Sequence, residues 1–230
     1  GVCGYISKRV IENCYNTGKV SGNSYIGGIC GYNDDKNTIQ NCYNTGAVSG
    51  DTIVGGICGK VNYTSLTSNA YKMVTNCYNT GKVTGNTYVG SINGSGESKL
   101  IENCYYLGTE GVQGRGGGPD YAGSTEVKSG EQFASGEVCW LLNGGETQAE
   151  TPVFFQNIDK EAFPVLDSTH HTVVEKDGAY SNEHNFESEI CTICGAFEDG
   201  MGARLAGHTL TLDGSIGVNF YMELDESVAE

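Results

Sequence analysis

Two thiols separated by two residues, Cys191-Thr192-Ile193-Cys194, have the spacing in this 230-residue chain that points most directly to chemistry. With Gly195 behind them to allow a tight knuckle, two thiolates so placed can wrap a tetrahedral zinc. His184, seven residues before Cys191, is a third ligand on this reading, and His170, His171 or His208 offers a fourth. Such a zinc would be structural. A Cys191–Cys194 disulfide or two free thiols compete with it, because no second ligand pair has clean spacing. A row of tyrosines carries a different chemistry. Tyr15, Tyr43, Tyr78 and Tyr105 each follow a cysteine, and adjacent residues on a strand face opposite ways. If the cysteines point inward, the phenol rings line an outer face, either as a stacking platform for sugar rings or as a ladder that shields a sheet. The remaining candidates are weaker. Asn33-Asp34-Asp35 has oxygen ligands for calcium but not the loop spacing, and reads as a solvated turn. Glu137 has no partner carboxylate placed by a motif. Gly114-Arg115-Gly116-Gly117-Gly118-Pro119 lacks the Gly-Lys-Ser/Thr ending and following helix of a phosphate cradle, and reads as a connector.

The elements that must position these residues are repeats. Asn-Cys-Tyr occurs at Asn13, Asn41, Asn76 and Asn103, at intervals of 28, 35 and 27 residues, and the first three copies continue as Asn-Thr-Gly. A second box follows: Ile26-Gly27-Gly28-Ile29-Cys30-Gly31, Val54-Gly55-Gly56-Ile57-Cys58-Gly59 and Val89-Gly90-Ser91-Ile92-Asn93-Gly94. Its Cys or Asn stands 16 residues after the Cys of the first box in each complete copy. A period in this range marks a solenoid. Each unit offers three short extended pieces with glycine corners, and no segment shows helical periodicity. The fold expected is mainly β: a right-handed parallel β-solenoid of about four coils over residues 1–108. After it come a small mixed segment with one short helix and a small Cys/His-containing β segment.

Stacking like over like assigns roles to whole columns. Seven of the ten cysteines fall in two columns, Cys14/Cys42/Cys77/Cys104 and Cys3/Cys30/Cys58. A column wants identical neighbours rather than pairs, so a ladder of free, buried thiols is expected. Asn13, Asn41, Asn76 and Asn103 form one amide ladder on this reading, and Asn16, Asn44 and Asn79 another, each bonding to the repeat above and below. Length variation falls at one corner, between the glycine box and the next Asn-Cys, where a solenoid carries its loops.

Composition bounds the partners. The net charge of −15 is uneven: residues 1–108 hold eight Lys/Arg and six Asp/Glu, leaving five against 22 for residues 109–230. The acidic part repels phosphate backbones and anionic lipids, so nucleic acid is not expected as a partner. No apolar run approaches the length of a membrane span.

The pattern I-x-N-C-Y-N-T-G-x-V-S-G followed by V-G-G-I-C-G closely resembles the GLUG repeat over residues 1 to about 108. That resemblance implies a large bacterial surface or secreted protein, extracellular, in which such repeats act as adhesive or spacing modules without catalytic residues. Host or bacterial surface proteins or glycans are the partners it implies. It also admits an accessory region of an immunoglobulin A peptidase-like surface protein. A β-helical enzyme acting on polysaccharide is a further alternative, but it needs carboxylates or Lys/Arg set together on one face. Ser91 and Asn93 depart from the pattern in the third copy and Tyr106-Leu107 in the fourth, as a capping coil would. Because Gly1-Val2-Cys3-Gly4-Tyr5 matches Gly28-Ile29-Cys30-Gly31-Tyr32, the chain is expected to be a piece of a longer protein.

Five segments follow from these readings. The solenoid spans 1–108 and a Gly-rich connector 109–123. A closing segment, 124–168, resembles what commonly follows GLUG arrays; its helix is expected to start at a Ser135 cap, end near Gly144 and bury Trp140. The Cys-x-x-Cys-Gly segment spans 169–207, and a truncated β domain with a hairpin around Asp213-Gly214 spans 208–230.

Overall fold

The parallel registers of the strands reproduce the repeat boundaries of the sequence. A computed structural model describes residues 1–7, 9–34, 37–62, 71–108, 111–147, 149, 151–184, 186–187, 190–191, 203–212 and 216–224. It divides into two compact units, Gly1–Asn182 and Glu183–Glu230.

Four parallel ladders make up most of the first unit. In one, Cys3–Ile6, Cys30–Asp34, Cys58–Asn62 and Asn93–Ser95 lie in that order, with Cys3 opposite Cys30, Cys30 opposite Cys58 and Cys58 opposite Asn93. In the second, Ser24–Gly27, Thr52–Gly55 and Thr87–Gly90 align. The third aligns Val20–Ser21, Val48–Ser49 and Val83–Thr84. The fourth holds the Asn-Cys-Tyr boxes, where Tyr15 faces Tyr43, Tyr43 faces Tyr78 and Tyr78 faces Tyr105. The architecture is therefore mainly β and of the solenoid type, with equivalent residues of successive repeats side by side.

Asparagine opens each Asn-Cys-Tyr box for a backbone reason. Asn13, Asn41, Asn76 and Asn103 have φ of 52°, 52°, 49° and 51°, the left-handed region that asparagine tolerates better than other side-chain-bearing residues. Their amides then link repeats: Asn103 Nδ2 donates to Asn76 Oδ1 at 2.8 Å and Asn76 Nδ2 to Asn41 Oδ1 at 3.3 Å. The second amide ladder runs as expected, Asn16 Nδ2 to Asn44 Oδ1 and Asn44 Nδ2 to Asn79 Oδ1, both at 2.7 Å. Each of these amides also bonds the carbonyl two residues on, as at Asn44 to Gly46, which fixes the turn.

The glycine box exists because neighbouring repeats approach too closely for a side chain. A Cβ on Gly56 would lie 2.0 Å from the Ser91 carbonyl oxygen and 2.4 Å from Asn79 Cγ. Behind this box the interior is lined by buried apolar side chains. Ile29, Ile57 and Ile92 pack there with Cys30, Cys58, Cys42, Cys77 and Cys104. A residue the size of Cys fits this column, and its thiol needs little. Cys42, Cys77 and Cys104 each donate to the carbonyl two residues before, at 3.1, 3.1 and 3.3 Å. All seven column cysteines are free.

The ladders continue past Gly108, where the sequence pattern led us to end them. The Gly-rich stretch expected to be a connector contributes rungs instead. Ile92 N donates to Gly114 O at 2.8 Å and Gly116 N to Asn93 O at 2.8 Å, and Thr125–Lys128 pairs in parallel with Ile101–Leu107. Asp120 holds this rung together, accepting from Gly114 N, Thr125 Oγ1 and Tyr106 Oη. Parallel rungs need only extended backbone, so degenerate side chains did not prevent it.

Among its described residues the closing segment contains two short α-helices, not one. The first, α1 (Gly130–Ala134), starts at Ser129 through a reciprocal capping box with Gln132. The second, α2 (Glu137–Leu142), follows Gly136, whose φ of 89° makes the bend. Ser135 thus terminates α1 instead of opening the helix. Phe133, Val138, Cys139 and Leu142 are buried, while Trp140 is half-buried and packs on Tyr180 with ring centroids 5.7 Å apart. In the second unit, Phe186–Glu187 pairs antiparallel with Ile190–Cys191 and Ala203–Leu212 with Ile216–Leu224. The latter strand pair begins before residue 208, where the last segment was expected to start.

Replacing Asn76 by Ala is expected to lower unfolding free energy by about 2 kcal/mol, from left-handed strain plus lost amide bonds. Asn76→Gly, which relieves the strain, should cost about half as much; urea unfolding followed by circular dichroism measures both. Gly56→Ala forces two backbones apart and should cost about 3 kcal/mol or more in the same assay.

Candidate ligand-presenting face

The tyrosines singled out by sequence do point away from the cysteine interior, yet three of the four are not at the surface. Tyr78 is 0%, Tyr105 5% and Tyr43 7% exposed, whereas Tyr15 is 57% exposed. Tyr15, Tyr43 and Tyr78 stack face to face, with centroids 5.0 Å apart at each step and planes within 7°. The closing segment covers Tyr43, Tyr78 and Tyr105. Phe133 and Phe154 pack on Tyr78 at 5.7 and 6.1 Å, and the Tyr78 hydroxyl donates to the Pro164 carbonyl. Burying each phenylalanine contributes about 2 kcal/mol. Lys128 closes the end of the row: its Nζ lies 5.4 Å from the Tyr105 ring centroid and 2.7 Å from Glu137 Oε1. Glu137, the carboxylate considered as an acid, is held by Lys128 and by Gln132. The ladder therefore shields a sheet, and sugar stacking on Tyr43, Tyr78 and Tyr105 is ruled out by their burial.

An exposed aromatic cluster lies elsewhere, on the ladders of the glycine box. Tyr5 is 56%, Tyr25 43% and Tyr88 52% exposed. Tyr5 stacks on Tyr32 at 5.6 Å with planes 28° apart, and Tyr25 meets Tyr32 edge-on at 5.5 Å and 70°. Lys60, opposite Tyr32 in the register, places Nζ 5.5 Å from the Tyr32 centroid and 5.8 Å from that of Tyr25. Asp34 is the acceptor of the group, taking the Tyr5 hydroxyl at 3.1 Å and Asn62 Nδ2 at 2.8 Å. Its charge acts on the phenols: the hydrogen bond from Tyr5 raises that group's pKa, and burial, then Asp34, raises that of Tyr32. Both rings are thus neutral at physiological pH. The cluster presents uncharged rings, one cation and one carboxylate.

Backbone geometry displays these rings. Tyr25, Ile53 and Tyr88 occupy one column, and their φ values are 56°, 59° and 56°. The next residues, Ile26, Val54 and Val89, pack in a small cluster with Val20, Val48 and Val83. The left-handed residue ahead of each turns its side chain to solvent or partly so. Sequence reasoning passed over this column. Its signal was present in two forms: a large residue before each Ile/Val-Gly box, and Cys-Gly-Tyr at Tyr5 and Tyr32.

The zinc reading falls largely outside the described residues. Cys194 is not among them; Cys191 lies in the strand Ile190–Cys191, and its side chain is likewise outside them, as is that of His208. His184 is exposed. Two of the other candidate ligands are engaged within the first unit, His170 Nε2 2.8 Å from Glu161 and His171 Nδ1 2.6 Å from Asn157. The Asn33-Asp34 part of the acidic turn is structured: Asn33 is buried and donates to the Asn37 and Met73 carbonyls. Among the described residues no helix is long and apolar enough to cross a membrane.

A family model for the GLUG motif matches residues 22–49, one repeat length running from the Tyr25 strand to the Val48 strand. The boxes in that stretch recur in register through the stacked repeats. Neither a curated protein nor a solved structure matches the chain.

The buried groups predict alkaline sensitivity. Burial pushes Tyr78 well above the ordinary tyrosine value of 10.0, and Cys139 well above the ordinary thiol value of 9.0. The unfolded chain releases these protons at the ordinary values and the folded one does not. Their stabilising contribution is therefore complete below about pH 9 and declines as pH rises beyond it. The urea midpoint should hold between about pH 7 and 8.5 and fall steadily above about pH 9.

Proposed function

We propose that this chain is a non-catalytic repeat module of a large bacterial cell-surface or secreted protein, working outside the cell in adhesion, in ligand presentation or as a spacer. The repeats on this reading form a right-handed solenoid of about four coils, the hand that parallel crossover connections favour. The observation that carries the reading is register: equivalent residues sit opposite one another in Cys3/Cys30/Cys58 and in Tyr15/Tyr43/Tyr78/Tyr105. Such a ladder gives nearest-neighbour stability and a repeating outer surface, which suits spacing and adhesion. The exposed cluster supports presentation over turnover, since among the described residues it holds a single carboxylate, Asp34, where glycoside hydrolysis uses an opposed pair. Host or bacterial surface glycans and proteins are the partner classes proposed.

Beads coated with the chain should be retained on immobilised mucin-type glycoprotein above the level of albumin-coated beads. The same protein should release no reducing ends from pectin or glycosaminoglycan and no fragments from immunoglobulin A. Turnover of any of these substrates would refute the proposal.

A further inference from the structure

We propose that the sheet edge formed by Val83–Thr84 and Thr87–Gly90 docks an extended peptide strand of a partner protein, one that carries Val or Ile two residues before Gly. The site stands apart from the extracellular role proposed above. It lies where the fourth repeat falls short. Three repeats take 16 residues to pass from the Asn-Cys-Tyr ladder to the Cys3/Cys30/Cys58 ladder, as from Cys77 to Asn93, but the fourth takes 11, from Cys104 to Arg115, which bridges Asn93. Arg115 beside Asn93 and Thr125–Lys128 beside Ile101–Leu107 carry the first and fourth ladders on, whereas Val83–Thr84 and Thr87–Gly90 end theirs.

This edge keeps the backbone groups that pair the repeats below it. Val48 N donates to Lys82 O at 2.9 Å, Gly50 N to Thr84 O at 3.1 Å, and Asp51 O accepts from Asn86 N at 2.9 Å. Val20, Gly22 and Asn23 make the same bonds one repeat down, to Ala47, Ser49 and Asp51. Their counterparts at the edge are Val83 N, Gly85 N and Asn86 O, and among the described residues none of the three has a hydrogen-bond partner. Thr84, Gly85, Asn86, Thr87 and Tyr88 are exposed. Neither a charge nor a proline stands between Thr84 and Gly90, so the edge lacks the devices that usually blunt an unpaired strand.

Two donors and an acceptor at strand spacing call for a polypeptide backbone, which offers carbonyls and amides alternately along one side; sheet edges recruit strands in this way. The side chains of the column select the peptide. Val83 is 3% exposed and ends a cluster with Val20, Val48, Ile26 and Val54, so Val or Ile continues it. Two residues on, a Cβ on Gly50 would lie 3.2 Å from Gly22 O, and one on Gly85 3.0 Å from Gly50 O. A strand laid on Gly85 meets the same restriction and takes glycine there. Farther along, Val89, Gly111, Val112 and Gln113 help to wall a cavity of about 370 Å³, which has room for the apolar side chain that follows.

The test uses the full chain and a fluorescent peptide with the sequence of residues 82–89, Lys-Val-Thr-Gly-Asn-Thr-Tyr-Val, blocked at both ends. Anisotropy titration should show saturable binding. Asn86 N and Thr87 N both reach Asp51 O, so methylating the same two nitrogens of the peptide should weaken its binding by about tenfold or more. Replacing the peptide's Gly by Val should do the same, and neither change touches the protein. Inserting Lys-Val-Thr-Gly-Asn after Gly108 restores the 16-residue passage, so the chain covers its own edge. Peptide binding should then be lost while the thermal midpoint holds or rises. No saturable binding, equal binding by either altered peptide, or undiminished binding to a folded insertion variant would overturn the site. So would a dimer of the parent chain that the insertion variant does not form, because the edge would then belong to a second copy.

Discussion

Parallel hydrogen bonding between successive repeats is the constraint from which the rest follows. Once Ile29 N reaches Ile57 O and Ile57 N reaches Ile92 O, at 3.0 and 2.9 Å, each residue spends its life opposite its own counterpart. Every position must then be a residue that tolerates its own kind as a neighbour. Cysteine meets this inside, because it is small, apolar and content with a local carbonyl. Asparagine meets it at the corners, where one amide can donate upward while accepting from below. Glycine meets it where two backbones almost touch. Charged residues fail the requirement, and among the described residues no Asp, Glu, Lys or Arg is buried in the columns.

The two outer faces solve the problem of exposed aromatics in opposite ways. Along the Asn-Cys-Tyr ladder Tyr15, Tyr43 and Tyr78 stack flat, and the closing segment seals Tyr43, Tyr78 and Tyr105, with Phe133 and Phe154 packed on Tyr78. Covering the ladder costs two helix starts and a left-handed glycine but buries a continuous aromatic strip. On the glycine-box ladders Tyr5 and Tyr25 are 56% and 43% exposed among the described residues. Their rings are instead steadied by one another and by Lys60, which supplies positive charge over two ring faces.

Left-handed backbone appears in both faces for different ends. At Asn41 and its equivalents it serves the fold, and the residue type is the one that bears the strain best. At Tyr25, Ile53 and Tyr88 the residue types bear it badly, so the conformation is imposed by the packed residues on either side. The fold fixes Ile26, Val54 and Val89 inward and the following glycines against the next repeat, and the residue ahead has one way left to turn.

The sequence by itself determined the repeat, its register, the inward cysteines and the amide ladders, because a period-locked column needs no long-range information to declare which residues meet. It also marked the hairpin around Asp213-Gly214, where Leu212 and Ile216 pair on either side. The two helices in place of one were half legible: the Ser129–Gln132 capping box stands in the sequence, but the expectation of one helix took its start from Ser135 alone. Which tyrosines are available to a partner was decided only in three dimensions. Nothing local to Tyr78 tells that Phe133, Phe154 and Pro164 will fold back over it, burying one ring while Tyr25 stays 43% exposed among the described residues. Burial of an outer face depends on where a distant segment docks, and that is a property of the packed chain rather than of any one repeat.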